Sequence, residues 1–428
     1  MTLVTLCSLL LATSCFVAVD SPDQLIDKYR NVCTSIQNQR GFAPGDIETI
    51  KQLRDEMHDW NSSNDDFKTT AAELQLTIWL GETQKCNVLF EKLISLQPEN
   101  TNIALAWADF MLSQDEADHE AIYQDLISRY PNSPEIAIDW VTFLESKNRF
   151  TDAIQVIGSL TEDVSNTPEI LQLYAAQLYA DNRFSDALNV LAQIDSEELA
   201  TNPLLSSKVD SATEKYKKAE TKWEKELSIR ETEESADDLP RARIITSRGP
   251  IELELFEDHA TNTVSNFISL AESGYYDGTR FHRVLPKFMA QGGDPNSREG
   301  AEGEPGSGGP GYTIKDEHTL EDHRNHFAGS LSMAKTSAPD SGGSQFFLTH
   351  LPTSHLDGRH TVFGRILSGL DIARSLEPND DIVTVTITRK REHEYIPDKI
   401  GDKTAEVPKK PKTPTIKPTI DLKGTKNE

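Results

Sequence analysis

From about residue 70 to 200 the apolar positions recur with the 3.6-residue period of helices, and the pattern itself recurs. "SPEIAIDWVTFLESKNRFTDAIQVI", starting at Ser133, aligns without a gap on "TPEILQLYAAQLYADNRFSDALNVL", starting at Thr167, a spacing of 34. Pro134 meets Pro168, Asn148-Arg149-Phe150 meets Asn182-Arg183-Phe184, and Asp152-Ala153 meets Asp186-Ala187. One unit earlier, "FEKLISLQPENTNIALAW" at 90–107 matches "YQDLISRYPNSPEIAIDW" at 123–140 with an offset of 33. Each unit carries two striped segments, so each predicts a helical hairpin that buries its stripe only by stacking on its neighbours. A right-handed α-helical solenoid follows.

Past residue 206 the pattern changes. "SKVDSATEKYKKAETKWEKELSIRETEES" sets Glu and Lys at helical offsets with few apolar residues, which reads as a charged, solvated helix or stiff linker over 207–240. From 241 to 391 short alternating strands take over. "ARIIT" and "IELELF" flank a turn at Ser247-Arg248-Gly249-Pro250, and "TNTVSNFISLAES" reads as a helix capped by its leading Thr, with Val264, Phe267, Ile268 and Ala271 on one stripe. "YYDGTRFHRVL" opens on an Asp-Gly turn and enters a strand; "SGGSQFFLTH", in which Gln345, Phe347 and Thr349 share a face, is another. "GRHTVFGRIL" and "IVTVTITR" follow, with a second short helix at about 369–376. The expected class is multidomain α + β: a helical repeat domain over 20–206, then an antiparallel β-barrel with two helices. Residues 392–428, rich in Lys, Pro and Thr, read as a disordered tail.

Charge narrows the partners. The 428-residue chain carries a net charge of −26, which opposes approach to nucleic acid or an anionic membrane surface. Proteins and peptides remain. Residues 1–19, "MTLVTLCSLLLATSCFVAV", carry no charge and have a leucine-rich centre, as a secretory signal segment does, and predict an exported protein, periplasmic or envelope-associated in a bacterium. No Lys or Arg precedes the run, and its length also suits a short membrane anchor; without a working signal the protein would be cytoplasmic. Of four cysteines, Cys33 and Cys86 lie outside this segment, either bridged in an oxidising compartment or, more plainly, two buried thiols.

Two families are resembled. The 34-residue period, with small alanines opposite bulky aromatics, resembles the tetratricopeptide repeats, which implies a surface for a protein partner; a spacer or dimerisation arm is the alternative. "YYDGTRFHRV", "KFMAQGGDP", "GSLSMA", "SGGSQFFLTH" and "LDGRHTVFGRI" occur in the order and spacing of the cyclophilin family of peptidyl-prolyl isomerases. That resemblance implies a cyclophilin-like eight-stranded closed barrel that isomerises X-Pro bonds in proline-containing polypeptides and so assists protein folding, with no metal or organic cofactor.

The chemistry asks for few parts. Amide delocalisation sets a barrier of about 18–20 kcal/mol to rotation, and no bond has to break. A catalyst needs to favour the twisted peptide, whose pyramidal nitrogen accepts a hydrogen bond that the planar amide accepts poorly. Arg283, permanently charged at the edge of an apolar run, is the candidate donor. Removing about 7 kcal/mol would accelerate rotation about 10⁵-fold.

The resemblance implies the remaining roles. Phe288, Met289, Phe347 and Leu356 line the proline pocket, while Gln291 binds the peptide backbone and orients Arg283. Gln345 and His360 stand at the rim, His282 belongs to the signature, and the backbone at Ala334, Lys335 and Thr336 pairs with an extended peptide. His355 stands where many members have tryptophan, which argues against strong cyclosporin binding.

Each residue has a plainer reading taken alone: Phe288, Phe347 and Leu356 as core, Arg283 as a surface charge, His360 as a structural histidine. "GSGGPG" at 306–311 fits a dinucleotide-binding spacing but opens no helix after a strand, and Pro310 removes a donor. His318, His323 and His326 in "DEHTLEDHRNH" lack a zinc spacing and read as a polar surface loop. Beside the isomerase stand two other readings, a non-catalytic proline-peptide binding module and a repeat-based scaffold.

Overall fold

The computed structural model describes residues 22–39, 42, 45–114 and 118–401. The signal-like segment and the tail beyond 401 lie outside them. The chain forms two compact units: residues up to Phe143 with Gln155–Leu173, and Leu144–Ile154 with Tyr174 onward.

The first unit is helical. It holds α1 (Pro22–Gln39), α2 (Asp46–Asn61), α3 (Phe67–Trp79), α4 (Thr83–Leu96), α5 (Thr101–Leu112) and α6 (His119–Arg129), with parts of α7 (Pro134–Ser146) and α8 (Phe150–Gly158), all of α9 (Glu162–Ser165) and part of α10 (Pro168–Ala180). Each striped helix finds its partner in the next ones. Ile26 and Tyr29 of α1 meet Leu53 and Met57 of α2 and Leu76 of α3, while Leu74 of α3 joins Phe90 and Leu93 of α4 and Ile103 of α5. Packed against both groups, α3 is buried at every position from Thr69 to Thr77. Its buried Glu73 is compensated by Asn61 Nδ2 at 2.7 Å and His58 Nδ1 at 2.8 Å. Cys33 and Cys86 are free thiols in separate apolar clusters, Cys86 buried as the plainer reading has it and Cys33 only half-buried. Among the described residues no helix is long and apolar enough to cross a membrane.

The second unit takes in the ends of the repeats, α11 (Phe184–Leu191), α12 (Ser196–Thr201), the long α13 (Pro203–Ala236) and the barrel. The repeated Asn-Arg-Phe triplets are turns. Asn148 and Asn182 are left-handed, with φ of 58° and 61°, and the next amides, Arg149 and Arg183, close onto Leu144 O and Leu178 O at 2.9 Å each. Asparagine tolerates that conformation, which ends one helix and starts the next at Phe150 or Phe184.

The charged stretch is indeed helical, but it is more than a solvated connector. Asn202 caps α13 through Leu205 N at 3.1 Å, Pro203 sits in the first turn, and Leu205, Val209, Tyr216, Ala219 and Glu226 form a buried stripe. Glu226 meets Arg324, whose guanidinium spans both carboxylate oxygens at 2.7 and 2.8 Å.

The barrel strands are β1 (Arg241–Thr246), β2 (Gly249–Leu255), β3 (Thr279–Arg280), β4 (Arg283–Leu285), β5 (Met289–Gly292), β6 (Ser330–Met333), β7 (Phe346–Thr349), β8 (Val362–Ser368) and β9 (Asp381–Arg389), with α14 (Thr261–Glu272) and α15 (Leu370–Ser375). They form one antiparallel sheet in the order β3-β9-β1-β2-β8-β6-β7-β5-β4. Its two ends, β3 and β4, are halves of one run interrupted at Phe281–His282, so the sheet closes and the eight expected staves appear as nine segments. Phe267 of α14 meets Tyr276, Phe346 and Phe363 at ring-centroid distances of 5.2, 5.7 and 5.4 Å. Burial of one such ring contributes about 1.5–3 kcal/mol.

The expected Thr cap of α14 is not what satisfies its first turn. Thr261 Oγ1 donates to Glu257 O, while the amides of Asn262 and Thr263 are bound by the two oxygens of Glu317, at 2.9 and 2.8 Å. A carboxylate from a distant loop suits the positive end of the helix better than a hydroxyl.

Candidate active site

Strand register assembles the site. Arg283 on β4 lies opposite Gln291 on β5, which lies opposite Phe347 on β7. Three residues far apart in sequence thus share one face of the sheet. Arg283 Nη1 donates to Gln291 Oε1 at 3.4 Å, and Gln291 Nε2 donates to Gln345 Oε1 at 2.9 Å. Gln345 Nε2 in turn donates to the carbonyls of Gly306 and Gly308 at 3.0 and 2.9 Å. Each amide orients the next, and the series ends on the guanidinium. Among the described residues no ion pair reaches Arg283, and its side chain lines the groove.

The groove has a volume of about 1010 Å³. Arg283, Phe288, Met289, Gln291, Ala334, Lys335, Thr336, Gln345, Phe347, Leu356 and His360 line it. Met289 and Phe347 are buried in its floor; Phe288 and Leu356 are half-buried on its sides. His360 stands edge-on to Phe347 at 5.6 Å, and its Nδ1 lies 3.0 Å from Met333 O. A carbonyl only accepts, so Nδ1 carries the proton. Burial holds the His360 pKa below its ordinary value, outweighing that hydrogen bond.

Two expected residues are outside the lining. His355 faces Phe288 at 5.5 Å and backs that ring, and His282 lies behind the Gly306 turn, its pKa lowered chiefly by burial. At the expected peptide-pairing edge, the Ala334 amide already donates to Gln345 O at 2.9 Å and the Thr336 amide to Ser341 Oγ at 3.2 Å. The Lys335 ammonium is bound to Asp316 Oδ2 at 2.6 Å. That edge therefore meets a ligand with two of its amides occupied.

The opposite wall was not legible beforehand. It is the glycine-rich segment Gly306–Thr313, with Ile400 and Gly401 beside it. Fully buried Asp294 pins it, accepting from the amides of Gly306 and Gly308. Gly293, with φ of 81°, places that aspartate, and a Cβ there would lie 2.5 Å from Ser344 O. Residues 392–401, expected in the tail, are in fact structured. Tyr395 is buried with its hydroxyl donating to Glu257 Oε2 at 2.8 Å, and Ile400 bridges Thr313. Two apolar anchors were hidden by the average composition of a Lys- and Pro-rich stretch. The three histidines of the 318–326 loop go to separate partners: Asp316 for His318, Leu320 O for His323, Asp357 for His326.

The antiparallel barrel thus carries an apolar socket with a guanidinium at its rim. Residues 241–395 match the family described as cyclophilin type peptidyl-prolyl cis-trans isomerase. The chain is 48% identical over 137 residues to peptidyl-prolyl cis-trans isomerase B of Bacillus subtilis, covering 32% of this chain and 90% of that protein. It is 45% identical over 151 residues to a peptidyl-prolyl cis-trans isomerase of Synechococcus elongatus, covering 35% of this chain and 97% of that one. The chain belongs to the cyclophilin-type peptidyl-prolyl cis-trans isomerases, and its barrel is the isomerase domain.

Proposed function

We propose that the protein isomerises X-Pro bonds in client polypeptides, with the helical repeats as the surface that gathers or positions those clients. The observation that carries the reading is the cross-strand row Arg283–Gln291–Phe347, a cation and an apolar ring on one face, 3.4 Å separating the guanidinium from the amide that orients it. The proline ring is held over Phe347 and Met289 while the peptide on its N-terminal side turns. As the nitrogen pyramidalises, Arg283 donates to it, and that bond exists only in the twisted state. The groove supplies no proton and takes none.

A protease-coupled assay on a proline tetrapeptide tests this, comparing the full chain with Arg283→Ala. The variant is expected to lose about 10²–10³ in kcat/KM, the loss seen when one preorganised donor is removed from a transition state. Equal turnover would assign catalysis elsewhere. For the repeats, deletion of residues 22–129, which removes α1–α6 and keeps Asn148 and Asn182, should leave tetrapeptide turnover intact and slow refolding of a whole-protein client. The uncharged run at 1–19 supports export, which cell fractionation of the native protein tests.

A further inference from the structure

The floor of the groove is gripped from outside the barrel. Phe347 stacks on the imidazole of His326, the two planes 2° apart and the centroids 5.9 Å apart. His326 is buried, and Asp357 Oδ1 accepts from both its backbone amide at 2.8 Å and its Nδ1 at 3.0 Å. The other oxygen of Asp357 receives the ammonium of Lys222, from α13, at 2.6 Å. One residue on, Trp223 packs edge-on against Phe327, the neighbour of His326, at 4.7 Å. Asp357 itself follows Leu356 on the groove side. One helix therefore holds both chain segments that flank Phe347.

We infer that Lys222 is a positioning residue of the isomerase, acting through Asp357 and His326 to fix the Phe347 ring against which proline packs. The inference rests on the groove being the proline site. No barrel group among the described residues replaces the ammonium at Asp357, since the remaining partners of that carboxylate all belong to His326.

The ion pair also governs the imidazole. An ionised carboxylate only accepts, so Nδ1 of neutral His326 carries the proton and Nε2, 2.9 Å from Ser332 Oγ, accepts. Ser332 has the Thr361 carbonyl at 3.1 Å as its alternative acceptor. A second proton on His326 would turn that hydroxyl away and place a charge under Phe347. Burial holds the ring neutral against the pull of Asp357, with His323 and His355 nearby also opposing a proton. Lys222 is the cation paired with Asp357; without it, Asp357 draws a proton onto His326.

The test is tetrapeptide kinetics between pH 5 and 8 on the full chain, with His326 followed by NMR. Lys222→Met is expected to raise KM about fivefold at pH 6 with kcat nearly unchanged, the scale of one partly exposed ion pair. It should also move the His326 titration upward and give KM an acid limb absent from the parent. Lys222→Arg should restore both. Trp223→Leu, which loosens the same contact without altering charge, should leave the His326 titration where it was. A Lys222→Met protein with the parent's KM profile and His326 titration overturns the inference, as does a titration shift of equal size in Trp223→Leu. Absence of turnover in the parent protein would instead sink the assignment of the groove.

Discussion

Asn182 and Ala328 hold each other by two hydrogen bonds, the carboxamide oxygen accepting from the Ala328 amide at 2.9 Å and the carboxamide nitrogen donating to its carbonyl at 3.2 Å. Asn148, the same position one repeat earlier, accepts from Lys287 N at 2.6 Å and donates to Arg374 O at 3.0 Å. A residue selected for a left-handed helix stop thus also joins the repeats to the barrel, and the turn Asn148 holds is the one that carries Phe288.

Removal of these side chains separates the two roles. Glycine keeps the left-handed turn and loses the carboxamide. Asn182→Gly and Asn148→Gly should each cost about 1–3 kcal/mol, because buried backbone partners are left unmatched. Urea unfolding followed by circular dichroism measures this; unchanged midpoints would make the contacts incidental.

The Glu226–Arg324 pair is nearly inaccessible, with side-chain exposures of 5% and 1%, and Arg324 also contacts Glu233. Burial raises the carboxyl pKa of Glu226, but the guanidiniums of Arg324 and Arg230 together outweigh it and the net shift is downward. Glu226→Ala leaves Arg230 without its carboxylate and Arg324 with Glu233 alone, and should destabilise the unit by about 3–5 kcal/mol, whereas Glu226→Gln, which keeps an acceptor between the two guanidiniums, should lose less. Thermal unfolding of the two variants decides, and equal losses would contradict it.

Unlatching the glycine-rich wall should weaken substrate binding. Gln345→Ala removes the donor to Gly306 and Gly308 and the brace behind Gln291. We expect kcat/KM to fall about tenfold, equivalent to about 1.4 kcal/mol, mostly through KM. Steady-state kinetics with a proline tetrapeptide reads the split.

His350 makes the barrel acid-sensitive. It is fully buried, and burial foremost, with the Arg374 charge second, depresses its pKa from 6.5 to about 4. The unfolded chain therefore binds a proton that the folded chain refuses between those values. Stability is fully present above pH 6.5 and is lost as pH falls toward about 4, by up to about 3 kcal/mol. His350→Leu should flatten this part of the curve, checked by urea midpoints from pH 7 to 4.

The repeats and the socket were both legible in the residue order, for different reasons. A paired Asn-Arg-Phe turn at a fixed spacing reports local backbone geometry, and Phe288, Met289, Gln291 and Phe347 sit in motifs whose order along the chain survives folding. Alternation likewise predicted β1, β2 and β9. What α13 does could not be read that way. One apolar or small residue every turn or two among Glu and Lys looks like a solvated face, and Glu226 looks like a surface charge until Arg324 arrives from 98 residues away. The Glu317 cap on α14, the glycine-rich wall and the Lys222–Asp357 pair have the same character. Sequence alone determined periodicity and turn chemistry, because those depend on neighbours along the chain. Tertiary structure alone decided which charges were buried and what compensated them, because an ion pair depends on distance in space and leaves no repeating trace in the order of residues.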